Sequence, residues 1–94
     1  MQNYTSLGEY AAYARQARDA ACRRYALSHY LSHDILTIRD TPGDEVDVAR
    51  LAHQLDEIVK ADAEMHAALG RANQAAVLCG KPALLADTLL PPSL

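Results

Sequence analysis

Three pairs of residues in this chain have the types and spacing that chemistry uses. His29 and His33 stand four apart, as do His53 and Glu57, and Asp62 and His66. On a helix, four-residue spacing sets two side chains on one side, which is how paired imidazoles reach a zinc ion. A carboxylate one turn before a histidine can likewise orient it as a general base. Whether any of these pairs has a function depends on the elements that carry them.

Those elements read as two long helices. Ser6-Leu7-Gly8-Glu9 has the form of a capping box, with Tyr4 and Tyr10 placed to act as its staple. No proline occurs before Pro42 and no glycine lies between Gly8 and Gly43. Apolar or small residues recur at Leu7, Tyr10, Ala14, Ala17, Ala21, Ser28, Leu31, Ile35 and Ile38, in alternating steps of three and four. This predicts one helix over about 6–39, with residues 1–5 as an N-terminal extension. "RDTPGDE" (39–45) then breaks the chain. Thr41 suits an N-cap, Pro42 the first helical position, and Asp44, Glu45 and Asp47 the positive end of the helix dipole. The second helix, over about 42–79, repeats the stepping through Val48, Leu51, Leu55, Ile58, Asp62, Met65, Leu69, Ala72, Ala76 and Cys79. Gly70 inside it is a position for a kink or a close contact. Gly80 and Pro82 stop it.

Two helices of matched length joined by a short loop form an antiparallel hairpin. The expected fold is therefore all-α, one helical domain over 1–94, with an apolar tail over 80–94. Leu84, Leu85, Leu89 and Leu90 are too apolar for an idle tail. They are expected to form a short third helix over the hairpin, or a docking segment for another protein. Of the 94 residues 18 are alanine and none is Phe or Trp, so the core is thin for its length. The apolar arc of the first helix, widened by Tyr13, Ala20 and Leu27, asks for another neighbour. A homodimer closing a four-helix bundle supplies one.

The hairpin positions the three pairs differently. With the seam centred near Ala21 and Ser28, His29 lies about 100° and His33 about 140° away, and Tyr30 about 200°. His53 and Glu57 fall on the back of the second helix. Ligands on outward faces cannot converge on one ion, so His29, His33 and His53 are weak metal candidates, and neither a metal nor a cofactor is expected. Arg24 and Asp62 occupy seam positions whose numbers sum to 86, the register the loop sets, and so should meet. With His66 one turn on and Asn73 beyond, they make a polar layer that fixes register. As an acid–base site it lacks a nucleophile, a phosphate-binding loop and a cleft. No catalytic residue is assigned.

Charge narrows the partners. The net charge of −3 argues against general nucleic-acid affinity. Residues 6–39 balance at +2 and residues 42–81 at −3, which favours pairing of the two helices. The run "RQARDAACRR" (15–24) keeps one nucleic-acid reading open, through the Arg15, Arg18 and Arg23 face of a dimer. Tyr10, Tyr13 and Tyr25 sit near the apolar arc, and Tyr30 is the exposed aromatic placed for binding. Cys22 and Cys79 fall roughly 22 Å apart along the hairpin, too far for a disulfide. A polar N-terminus, no apolar run of membrane-spanning length and two unbridged thiols point to a cytoplasmic protein. The function these features favour is non-enzymatic: an adaptor, chaperone or regulatory subunit that contacts itself and another protein. The alternatives are the arginine-face regulator and a metal-binding bundle.

Overall fold

The computed structural model describes residues 4–90; Pro91-Pro92, expected from the sequence to end any helix in the tail, lies outside them. The first helix, α1, runs Tyr4–Asp40 and the second, α2, runs Val48–Cys79. They pack side by side, antiparallel, in a slab of 66 × 28 × 13 Å. Its thickness is little more than one helix diameter. Each helix therefore buries one stripe against the other and leaves two flanks uncovered by its mate.

Both helix starts differ from the sequence expectation. α1 is already helical at Tyr4, so Ser6 is a buried residue inside it rather than its cap, and Tyr4 is exposed rather than stapled. α2 begins at Val48 instead of 42. Its N-cap is Asp47, whose carboxylate accepts from the Arg50 backbone N–H at 3.0 Å. Thr41 instead turns back, its hydroxyl donating to the Thr37 carbonyl at 2.6 Å. A turn closes over Pro42-Gly43 through the bond from Asp44 N to Thr41 O. Two cap residues compete here, and the earlier one is spent on α1. At the other end Gly80 takes the left-handed conformation (φ 74°) and its N–H bonds the Ala76 carbonyl, as expected. Gly70 is ordinary helix, and a Cβ there would meet nothing within 4 Å, so it is no close-contact point.

The seam is a strict heptad repeat, but not through all the rows expected. Ser6, Tyr13, Ala20, Leu27 and Asp34 form one row of α1, and Tyr10, Ala17, Arg24, Leu31 and Ile38 the other. On α2 the rows are Leu51, Ile58, Met65, Ala72, Cys79 and Gln54, Ala61, Ala68, Ala75. Every one of these is buried or half-buried. The row Leu7–Ala14–Ala21–Ser28–Ile35 and its counterpart Val48–Leu55–Asp62–Leu69–Ala76 lie beside the seam instead. Leu7, Ile35, Val48 and Leu55 are consequently exposed. The alanines of the central rows, most of them on α2 (Ala61, Ala68, Ala72 and Ala75), let the two backbones approach, and the larger flank residues are left uncovered.

The tail covers part of that flank. After Gly80 the chain doubles back along α2 in extended form and ends in a single 3-10 turn, Ala86–Leu89. Leu89 is 3% exposed and joins Ala17, Ala20, Ala21, Met65 and Ala68 in the central cluster. The third helix expected from the leucines is thus one turn long. Pro82 withholds a backbone donor, and five residues separate Gly80 from the first turn residue.

Candidate interaction surface

Asn73 is what holds the tail in place. Its Nδ2 donates to the Leu84 carbonyl at 3.0 Å and its Oδ1 accepts the Leu84 N–H at 2.7 Å. One side-chain amide thus satisfies both backbone groups of Leu84, as a neighbouring strand would. Sequence reasoning placed Asn73 in a polar stripe but gave it no partner. A flank asparagine within reach of a returning apolar tail is the signal that was there to find.

The expected pair forms. Arg24 Nε donates to Asp62 Oδ1 at 2.9 Å, and His66 Nε2 stands 3.4 Å from the same oxygen. The pair is not buried, however: the side chains are 43% and 38% exposed. It sits at the edge of the seam beside the end of the tail, where a shallow recess of about 240 Å³ is lined by Met65, Asp87 and Leu90 as well. A second polar layer nearer the loop was not foreseen. There Asp34 Oδ2 accepts from Gln54 Nε2 at 2.7 Å and lies 3.3 Å from Arg50.

The histidines do not converge. His29, His33 and His53 are all exposed, and His29 meets the neighbouring Tyr30 ring, edge to face. Among the described residues no three His, Cys, Asp or Glu side chains are placed to hold a metal ion. Both thiols are free. Of the arginine face, Arg23 is engaged with Glu64 across the seam, while Arg15 and Arg18 are exposed. Tyr30 is exposed as expected; so is Tyr25, which was assigned to the apolar arc, because its row lies outside the seam. Among the described residues no helix is long and apolar enough to cross a membrane.

The two broad faces of the slab differ in kind. One carries a groove of about 440 Å³ with an alanine floor (Ala20, Ala67, Ala68) and charged walls, Arg23, Glu64, Asp19 and Arg71. Arg71 lies over the Tyr13 ring at 5.6 Å, and the Asp34–Arg50 pair continues this polar face toward the loop. On the outer side of α2, Lys60 holds Asp56 and Glu57. The hydrogen bond and the charge of Asp56, then the charge of Glu57, push its ammonium above the ordinary lysine value. The other face carries the tail. Beyond the tail's end its rows continue through Ile35 and Leu55, 50% and 54% exposed, flanked by Tyr25 and Val59. Of the tail leucines, Leu84 is half-buried and Leu89 buried, whereas Leu85 and Leu90 are exposed on top. An all-α hairpin with one ion-paired face and one apolar, partly strapped face is the class this geometry defines. No family model, curated protein or solved structure matches the chain.

Proposed function

We propose that this chain is a non-enzymatic interaction module, an adaptor, chaperone or regulatory subunit, that self-associates through its hairpin and docks another protein. One observation carries the reading: the hairpin buries its small residues and displays its large ones. Its core is nine alanines with Met65 and Leu89, and among the described residues no large side chain is fully enclosed. Meanwhile Ile35, Leu55, Val59 and Tyr25 lie exposed on one face. Domains are stable when two packed layers share a core, and a slab one helix thick has a single layer. A second hairpin on the apolar face would complete a four-helix bundle.

Sedimentation equilibrium of the full chain across a micromolar concentration range tests this. A concentration-dependent mass of twice the protomer is the expected result. A folded chain that stays monomeric throughout would refute it. The arginine-face regulator receives less support, since Arg23 already has an acidic partner within the chain.

A further inference from the structure

We infer that the partner on the apolar face is a second copy laid antiparallel, tail face to tail face, so that each tail lies over the loop half of the other. The inference rests on the self-association proposed above and adds the face, the direction and the role of the tail.

The face follows from continuity. Ala21 of α1 and Leu69 of α2 pack with Leu89, and Ala14 and Ala76 of the same rows are buried. The same two rows run on to Ile35 and Leu55, which the tail does not reach. A covered groove and an open one are thus two halves of a single surface. The tail itself presents Leu85 and Leu90 outward, 62% and 44% exposed, so its upper side is apolar as well. The opposite face offers the Arg23–Glu64 and Asp34–Arg50 pairs instead, while on the tail face the Arg24–Asp62 pair stands between the covered half and the open one.

The direction follows from charge. Divided at the Arg24–Asp62 level, the loop half, residues 25–61, has seven acids and three bases, a net charge of −4. The half holding both chain ends nets +1. A parallel dimer would stack two −4 halves on each other in a shared interface. The antiparallel dimer sets −4 against +1 at each end and removes that repulsion. It also brings the exposed leucines of each tail level with the open rows of the other copy. The face is large enough: half of a 66 × 28 Å surface is roughly 900 Å² in projection, against about 800 Å² per partner in a standard stable interface. The two-fold makes the contact isologous, so it closes at two copies.

The test places a nitroxide at the loop tip. Gly43→Cys has open space for its side chain; combined with Cys22→Ser and Cys79→Ala, it leaves one label per chain. Pulsed dipolar spectroscopy on the dimer should give a distance near the 66 Å length of the slab. A distance under half that length overturns the antiparallel arrangement while leaving self-association intact. In parallel, Leu55→Asp, and separately Leu85→Ser with Leu90→Ser, should weaken dimerisation at least about tenfold, because a carboxylate or hydroxyl would be buried unpaired in an apolar contact. These positions are exposed in the protomer, so helical circular dichroism should be unchanged. Dimerisation unaffected in both variants overturns the face. A wild-type chain that never dimerises removes the self-association reading itself.

Discussion

Truncating Leu89 to alanine should release the tail rather than collapse the hairpin. Leu89 is, with Met65, one of two large side chains in the buried cluster, and among the described residues it is the apolar plug the tail drives into the helix pair. Removing a buried leucine side chain from a core costs about 2–5 kcal/mol when the site cannot relax. This site can relax by letting go. The remaining ties are the two Asn73 bonds to Leu84, each worth about 0.5–1.5 kcal/mol, and the half-buried Leu84 side chain. Against them stands the conformational entropy of ordering residues 81–90. Without the Leu89 plug these ties do not offset it, and the tail undocks. The cost to global stability is then capped at the tail's docking free energy, at the low end of the about 2–5 kcal/mol range of a truncation that cannot relax. Hydrogen exchange resolved at single amides separates the alternatives. In the variant, the Leu84 N–H, now held by Asn73, and the Thr88 N–H, bonded to the Leu85 carbonyl at 3.0 Å, should lose protection. Amides in the middle of α1 and α2 should keep theirs. Retained protection at Leu84 together with a global loss above about 3 kcal/mol would refute the picture of a separately docked strap.

Three further outcomes follow from local geometry. In a double-mutant cycle by urea unfolding at dilutions where the chain is monomeric, Arg24 and Asp62 should couple by about 0.5–1 kcal/mol, the scale of a partly exposed pair. A coupling of several kcal/mol in the monomer would refute that scale. Asp47→Ala should lower stability by about 1 kcal/mol through loss of the α2 cap, whereas Thr41→Ala should leave the α2 start unchanged by NMR chemical shifts. Gly80→Ala, forced into a left-handed conformation, should cost about 1 kcal/mol and lower the thermal midpoint by about 4–8 °C; no shift would dispute the terminator.

Composition and spacing alone determined the two helices, their antiparallel register and the Gly80 stop. Heptad stepping, turn residues and a left-handed glycine are local signals that survive without knowing what packs where. The same locality put Arg24 opposite Asp62 and turned the histidines outward. Three things were decided only by tertiary structure. One was the choice of seam row: Ser6–Asp34 and Leu7–Ile35 both repeat every seven residues, so periodicity cannot rank them. Neither hydrophobicity nor alanine content favours the first row, which holds one alanine against two; the packing of the neighbouring helix selects it. Another was the exposure of the Arg24–Asp62 pair, which depends on how far a slab one layer thick can exclude water. The last was the fate of the leucine tail. Which leucine enters the groove is set by where Asn73 catches the returning chain, a contact between residues eleven apart on either side of a helix end.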